Sequence, residues 1–465
     1  MKYLLQEDYR LLGWRGEPFC LARRSSGKVV RLSPSDFACL LRCDGATEIG
    51  ADIWPPVPAW AQKAGVIAEC APGARLLPQQ EYRLFPNRRM DYVELSVTGR
   101  CNLNCKHCFN AADCKPRTVE PTLEQLLKLL DRMVDCGVCR IRLDGGEPLT
   151  RRDLLTITDA MARRGIVLHE MVTNGTLITP ELLDGLEAQG HRPIWFVSFD
   201  GLGCHDWLRG VKGTEERVLK NIHMLCELGY DVQVHQCVWR DSLSSIRPTV
   251  LRLRELGVSR YRVTTVEPSL RWMASAPEQT IPTEVWQAYI PDFLDWWYEN
   301  HIDMDLDVWS YWSGRRDSNR VRILPDLFSR GEDDRARSCH ESSNRFFIDA
   351  DGRMVRCIAL SGITAAYGIK CPNVYKGDDL QQVMTQSNFL DALTCTCGAL
   401  KAALPDCQAC RWRERCGMGC RAEAMAQCGS TAGIDHRMCA FYNDGCYVKL
   451  KAVAEKHELT LYPTQ

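Results

Sequence analysis

The chain has 465 residues, 45% of them hydrophobic and 25% charged, so it is long and apolar enough for several globular cores and is neither disordered nor fibrous. Its 58 basic and 59 acidic residues nearly cancel, which excludes a global field that would recruit nucleic acid or an anionic membrane. Without a membrane-length apolar run or a signal peptide, we expect a cytoplasmic protein, and its 25 cysteines then favour metal or redox chemistry over disulfides.

Residues 1–75 are predicted to form a small separate module. Two alternating segments on either side of Ser25-Ser26-Gly27 predict a hairpin, and Ser33 then caps a helix, with a second helix expected around 54–68. This order resembles the winged-helix peptide-recognition domains that precede many enzymes acting on ribosomally made peptides. Those domains bind a leader peptide as an added strand at a sheet edge. A winged helix without a ligand is the alternative.

Residues 76–90 break every periodicity and are predicted as a linker. The segment 91–300 then alternates short β-branched strands with capped helices, a pattern typical of right-handed βαβ units. About six such units predict an α/β fold with a partial barrel related to the (β/α)8 TIM barrel, whose active site lies at the carboxyl ends of the strands. Its last helix, 283–300, is expected to be interrupted or kinked at Pro291, and residues 301–338 have no clear period and are predicted as a bridge.

Three cysteines, Cys101, Cys105 and Cys108, follow the first barrel strand directly. Thiolates are soft ligands that suit iron–sulfur clusters or zinc. Three thiolates on a cubane of four irons leave one iron open, and an open metal position generally receives a substrate. A structural zinc loop or a set of buried thiols is the alternative.

This motif and its setting resemble the radical S-adenosylmethionine (SAM) enzymes. The resemblance implies a 4Fe-4S cluster that chelates SAM and donates one electron to it, which yields a 5′-deoxyadenosyl radical that abstracts hydrogen from a substrate. It also implies a set of residues at the strand ends that contact SAM: Phe109 through its backbone, Gly145, Gly146, Glu147 and Pro148 at the amino group, Asn174, Ser198, Asp200, and Arg209 at the carboxylate. The alternatives are an ordinary turn at Gly145-Gly146 and a solvent-exposed side chain at Arg209.

Residues 339–465 carry a seven-cysteine array that resembles the SPASM extension of radical SAM peptide maturases. The resemblance implies two auxiliary 4Fe-4S clusters, the first bound by Cys339, Cys357 and Cys420 and the second by Cys407, Cys410, Cys416 and Cys439. A zinc ribbon or treble clef is the alternative. The chain departs from the pattern at Arg345, where related enzymes place a further cysteine. Cys371, Cys395 or Cys397 could supply the missing ligand, or the site could stay open to a substrate thiolate.

Taken together, these features predict an enzyme that modifies a ribosomally synthesised precursor peptide, with the leader held by residues 1–75 and an external electron donor of the flavodoxin or ferredoxin type. A thioether crosslink is the first expected product, and a carbon–carbon crosslink is the second. A formylglycine-forming sulfatase maturase is disfavoured because Ile358 follows Cys357 where that family has an acidic residue. An iron–sulfur peptide-binding or redox scaffold is the non-enzymatic alternative.

Overall fold

The computed structural model describes residues 1–49, 57–108, 119–324, 345–386 and 396–462. Three residues singled out from the sequence lie outside these ranges, namely Phe109, Cys339 and Cys395. Within the described residues, no helix combines the length and the apolar character needed to cross a membrane.

The amino-terminal module contains two small sheets and two helices. Its six strands, β1–β6, are Lys2–Leu5, Tyr9–Trp14, Glu17–Arg23, Val29–Arg31, Asp44–Glu48 and Ile67–Glu69. The predicted hairpin is confirmed as β3 and β4, and Ser33 caps helix α1, Pro34–Leu41, by accepting from the Asp36 amide at 3.0 Å. The second predicted helix is wrong in extent: in the described part of that segment α2 covers only Ala59–Lys63, and β6 follows because its residues pair with β1.

Part of the predicted linker forms a strand of the amino-terminal module. Strand β7, Arg83–Phe85, pairs in parallel with β2 and completes a four-stranded sheet in the order β4-β3-β2-β7. The sequence predicted an irregular segment because a strand of three residues is too short to show an alternating pattern.

The six predicted barrel strands are confirmed as β8–β13: Tyr92–Ser96, Arg140–Asp144, Val167–Thr173, Ile194–Ser198, Val232–Val238 and Arg260–Thr265. All neighbouring pairs are parallel. The helices that follow them, α3–α10, are Leu123–Asp135, Leu154–Arg163, Pro180–Ala188, His205–Arg209, Thr214–Glu227, Ile246–Glu255, Leu270–Ser275 and Thr283–Glu299. Helix α10 runs through Pro291 without interruption.

The bridge that was predicted as irregular extends the sheet instead. It contributes β14, β15 and β16, which are Asp305–Val308, Trp312–Gly314 and Arg320–Ile323. Beyond it, β17, β18 and β19 are Arg345–Ile348, Met354–Val355 and Thr460–Leu461, and one twelve-stranded sheet results in the order β18-β17-β8-β9-β10-β11-β12-β13-β14-β15-β16-β19. The sheet remains open because β18 and β19 are its edges. Helices α11–α17 complete the carboxyl-terminal part: Ile358–Ala366, Leu380–Gln386, Cys397–Ala403, Pro405–Gln408, Arg421–Cys428, His436–Asn443 and Cys446–Lys456.

The two faces of this sheet differ in chemistry. One face packs against the helices through apolar side chains such as Leu95 and Leu143, both fully buried. The opposite face carries ion pairs between neighbouring strands: Arg142–Glu170 at 3.3 Å, Arg260–Asp305 at 2.9 Å, Arg262–Asp307 at 3.2 Å and Arg345–Glu94 at 3.3 Å. A parallel sheet covered on both sides would be apolar on both faces. The charged face therefore marks the open interior of the partial barrel.

The amino-terminal module docks on the barrel through Trp14. This side chain is fully buried, stacks on Phe85 at 5.6 Å and donates from Nε1 to the Cys136 carbonyl at 2.9 Å. A Cβ added to Gly137 would lie 2.6 Å from the Trp14 Nε1 atom, so only glycine fits beneath the ring. The contact lies at the amino end of β9, the end opposite to the one expected to hold the active site.

Replacing Trp14 by alanine should therefore release the module from the barrel. Removal of a buried tryptophan typically costs about 3–5 kcal/mol. We expect a lower thermal unfolding midpoint and faster protease cleavage between the module and the barrel, measured by calorimetry and limited proteolysis. Trp14→Phe keeps an aromatic ring in the stack but loses the hydrogen bond and part of the ring, so its unfolding midpoint should lie between those of Trp14→Ala and the wild type. Equal unfolding midpoints and cleavage rates for Trp14→Ala and the wild type would contradict this docking role.

Candidate functional site

The three-cysteine loop follows β8 and is hydrogen-bonded to helix α6, the short helix after β11. The amides of Asn104 and Lys106 donate to the carbonyls of Arg209 and Leu208 at 3.2 and 2.8 Å. The Arg209 Nη1 atom also lies 3.7 Å from the Cys105 sulfur. The loop is thus held by contacts of both its backbone and its side chains.

Cys101 lies on the other side of this loop, beside the end of β10. Its sulfur accepts from the Leu103 amide at 3.4 Å and lies 4.0 Å from Asn174 Nδ2. Asn174 is itself held by Asn102 at 2.8 Å and by the Thr176 hydroxyl at 2.6 Å. The structure therefore places the predicted SAM contact Asn174 against the predicted cluster ligand Cys101.

The Gly145-Gly146 pair sits under the segment that leads into the cysteines. A Cβ on Gly146 would lie 2.1 Å from the Arg100 carbonyl oxygen, and one on Gly145 would lie 2.5 Å from that of Thr98. The missing side chains make room for protein backbone here. Pro148 follows at the start of a single 3-10 turn.

Glu147 fastens the ends of two strands together. Its fully buried carboxylate accepts from the Thr173 hydroxyl at 2.8 Å, the Asn174 amide at 2.7 Å and the Leu149 amide at 3.1 Å. Burial raises the pKa of Glu147 to about 7, although these three donors oppose the rise. The residue predicted at the SAM amino group thus acts in the structure as a tie between β9 and β10.

Asp200 and Arg209 form a buried bidentate pair. Arg209 donates from Nε and Nη2 to the two carboxylate oxygens at 2.6 and 3.1 Å. Burial opposes ionisation of Asp200, but Arg209 and His205 outweigh it and hold the pKa of the carboxyl well below its ordinary range. The other predicted contact on this strand, Ser198, is half-buried at the end of β11, opposite His235 on β12.

Two further side chains join this network that the sequence did not single out. His107 and Cys237 lie with Asp200 so that their ligand-type atoms are all within 4.8 Å of one another. Burial lowers the pKa of His107 to about 3, which keeps its imidazole neutral at neutral pH. Cys237 could have been found from its place at the carboxyl end of β12, but His107 gave no signal beyond its position between two cysteines.

The second predicted cysteine set lines one cavity in the carboxyl-terminal part. Its walls include Cys407, Cys410, Cys416 and Cys439. The sulfurs of Cys410 and Cys416 accept from the Trp412 and Met418 amides at 3.4 and 3.3 Å. Lys401, which is 5% exposed, lines the same cavity and places a buried cation beside the thiols.

Glu267 is a further candidate that sequence analysis missed. It follows β13 at the carboxyl end of the sheet and keeps 47% of its side chain exposed. Arg437 from the carboxyl-terminal part approaches it at 3.8 Å, and Glu423 hydrogen-bonds to it. Part of the side chain reaches solvent while the carboxyl group itself is buried, and this burial, reinforced by Glu423, raises the pKa of Glu267 to about 8. Nothing in the local sequence predicted this, because Glu423 is more than 150 residues away.

The described residues fit the SAM-binding cluster and the second auxiliary cluster that the sequence predicted. Cys101, Cys105 and Cys108 form no disulfide, and their thiols are close enough to influence one another. Burial raises the pKa of Cys101 to about 11 and that of Cys416 to about 12, so these thiols stay protonated at neutral pH unless a metal displaces the proton. Arg209 lies beside Cys105, and Lys401 lines the cavity of the second set.

Comparison with known proteins agrees with this geometry. The radical SAM superfamily profile matches residues 95–240. The AdoMet-dependent heme synthase of Methanosarcina barkeri is 29% identical over 277 residues, 57% of this chain and 76% of its own length. PqqA peptide cyclase of Gluconobacter oxydans is 23% identical over 344 residues, 73% of this chain and 87% of its own length.

A solved structure shares nearly the whole fold. Streptococcus suis SuiB bound to its precursor peptide SuiA superposes with a TM-score of 0.63, covering 94% of this chain and 99% of SuiB at 14% identity. Radical SAM enzymes use a 4Fe-4S cluster and SAM. The cysteine loop, the strand-end network around it and the matching profile together show that residues 95–240 form a radical SAM domain and that the chain is an enzyme.

Proposed function

We propose that this radical SAM enzyme modifies a ribosomally synthesised precursor peptide by forming an oxidative crosslink. The observation that carries the proposal is an amino-terminal module with an open strand edge, fastened to a radical SAM barrel. The similarity to PqqA peptide cyclase and the full-length likeness to peptide-bound SuiB support it. When bound, the cluster and SAM supply hydrogen-atom abstraction, and the auxiliary clusters accept the remaining electron.

Strand β4 is the proposed docking edge for the leader. It is one edge of the sheet β4-β3-β2-β7, and β7 is the other. Val30 pairs with Leu21, the Arg23 amide of β3 donates to the Lys28 carbonyl, and the Leu32 amide donates to the Phe19 carbonyl of β3. The main-chain groups of Arg31 therefore point away from β3. Those outward groups can pair with an added strand. The exposed Val30 side chain, 41% open to solvent, offers an apolar contact beside them.

Arg89 marks the end of this docking edge nearest the barrel. Its guanidinium donates to the outward Val29 carbonyl at 3.1 Å and pairs with Asp91, just before β8, at 2.6 Å. An added strand at β4 would meet Arg89 next. The leader site and the first barrel strand are therefore joined through one side chain.

Glu267 is the proposed proton acceptor. Forming a crosslink removes two hydrogens from the peptide, and the one that leaves as a proton needs a base of the protein. Glu267 is half-exposed at the mouth of the barrel, and its raised pKa suits proton transfer near neutral pH. The groups that face it are Glu423, Arg437 and Asp435, so its titration belongs to the group of carboxyls and not to Glu267 alone.

The crosslink is a thioether or a carbon–carbon bond. A thioether made from a peptide thiolate that binds iron requires an open position on the first auxiliary cluster, whereas a carbon–carbon bond does not. The reductant is proposed to be a one-electron donor of the flavodoxin or ferredoxin type.

A second candidate function is a heme-forming enzyme. The 29% identity to the Methanosarcina barkeri heme synthase favours it. This alternative predicts SAM cleavage that does not depend on a peptide or on the β4 edge.

The reconstituted, dithionite-reduced enzyme tests the main proposal. With SAM and a precursor peptide encoded beside this chain, we expect 5′-deoxyadenosine and a peptide lighter by two hydrogens, both measured by mass spectrometry. A protein that cleaves SAM but leaves every such peptide unchanged would contradict peptide modification. A protein that binds its clusters and never yields 5′-deoxyadenosine would favour the scaffold alternative.

The β4 edge is tested by Arg31→Pro. Proline removes the outward amide and is tolerated on edge strands whose N–H faces solvent, so the fold should persist. Loss of main-chain hydrogen bonding of about 1–2 kcal/mol should weaken binding of the precursor peptide by roughly five- to thirtyfold, measured by fluorescence anisotropy. Arg31→Ala is the matched control, because it keeps the amide and loses only the two hydrogen bonds to Glu17, at 2.7 and 2.5 Å. Equal binding by the two variants would place the leader elsewhere.

The proton-acceptor role is tested by Glu267→Gln. A base acts when deprotonated, so crosslinking by the wild type should rise with pH and level off above about 8. Loss of a general base typically lowers the rate by about 10²–10⁴-fold. In the variant we expect this loss, no rise toward pH 8, and unchanged SAM cleavage.

Glu278, an exposed glutamate eleven residues further along the chain, supplies the control. Glu278→Gln should retain both the crosslinking rate and its pH profile. If Glu267→Gln kept the wild-type pH profile, another group would be the base.

A further inference from the structure

The first auxiliary site lacks a cysteine where related enzymes have one, and the residue in its place serves another purpose. Arg345 begins β17, pairs with Glu94 at 3.3 Å and lies over the Tyr92 ring at 4.8 Å. Its side chain is thus part of the charged inner face of the sheet. A fourth protein sulfur for this site must come from elsewhere in the chain.

Backbone pairing brings Cys371 to the end of the strand that leads to Cys357. Arg353 bridges Asn373 in antiparallel fashion, and the Met354 amide donates to the Pro372 carbonyl at 2.8 Å. Continuing this register by two residues places Cys371 opposite Val355. Val355 is the last residue of β18, and Cys357 follows it by two residues.

Cys420 reaches the same place from a different element. It is the N-cap residue of α15, and Cys357 directly precedes α11, the helix that α15 packs against. Both thiols therefore lie at helix amino termini, where the partial positive charge favours thiolates.

The three thiols share one small apolar core. Cys357, Cys371 and Cys420 all pack against a cluster formed by Phe347, Val355, Leu360 and Ala422. Cys397 lies in a different cluster, with Met418 and Cys407 of the second cavity. The structure describes two of the candidate fourth ligands, Cys371 and Cys397. Of these, only Cys371 packs in the same apolar cluster as predicted ligands of the first auxiliary cluster.

We propose that Cys371 is a protein ligand of the first auxiliary cluster together with Cys357 and Cys420, and that it completes a set of four with Cys339, a ligand predicted from the sequence alone that lies outside the described residues. Four cysteine thiolates are the usual protein ligands of a 4Fe-4S cluster. With this set every iron has a protein sulfur and no position remains for a substrate. The inference goes beyond the proposed function, and its consequence for the product rests on that proposal: a peptide thiolate does not bind this cluster, which favours a carbon–carbon crosslink or a thioether formed away from iron.

Cluster analysis of full-length Cys371→Ala tests the ligand directly. After anaerobic reconstitution we expect either loss of roughly a third of the bound iron, because one of three 4Fe-4S clusters is missing, or an electron paramagnetic resonance spectrum that changes on addition of 2-mercaptoethanol. Cys428→Ala is the control, since this exposed thiol lies in the same region and hydrogen-bonds to a backbone carbonyl. Iron content and thiol response equal to those of the control would overturn the proposal.

Alkylation of the wild-type chain keeps the proposal testable if the variant does not fold. Iodoacetamide should label Cys371 in the metal-free protein and spare it in the reconstituted protein, whereas the half-buried Cys226 should be labelled alike in both. Labelling of Cys371 in the reconstituted protein would refute its role. Neither measurement uses a peptide, so failure of peptide modification would leave these results unaffected.

Discussion

The site depends on one buried guanidinium–carboxylate pair, Asp200 with Arg209. Both charges are removed from water, and each is compensated only by the other and by a few neighbours, including the Cys105 sulfur at 3.7 Å. Breaking such a pair leaves an uncompensated buried charge, which is strongly destabilising. Since the backbone of Arg209 also accepts from the Asn104 amide, the same interaction that satisfies the charges fixes the cysteine loop over the sheet.

The rest of the site is built by contacts between loops that leave successive strands. Gly145 and Gly146 let the loop after β9 touch the segment before Cys101, and Glu147 ties that loop to the end of β10. Parallel strands place all of these loops at one edge, which is where barrel enzymes hold their active sites. The cofactor site is therefore preorganised by backbone packing and buried hydrogen bonds.

The proposed peptide site and the cofactor site lie at opposite ends of the sheet. Trp14 holds the amino-terminal module at the start of β9, while the cysteines follow the end of β8. A strand of five residues spans on the order of 17 Å, so a peptide bound at β4 must run at least that far to reach the barrel mouth. Under the proposed function, the leader and the modified segment of the peptide are therefore separated by at least this distance.

The sequence alone determined the parallel strands, their capped helices and the cysteine loop, because these features are local: periodicity, N-caps such as Ser33 and spacing such as Cys101 to Cys105 need no distant partner. It failed at β7, β14 and β6, which are too short to show a period and become strands only by pairing. Tertiary structure alone decided that Arg209 meets Asp200, that Glu267 meets Glu423, and that Cys371 joins the predicted cluster ligands. Each of these depends on how separate elements pack against one another, and the spacing of the residues in the sequence does not record the resulting distances.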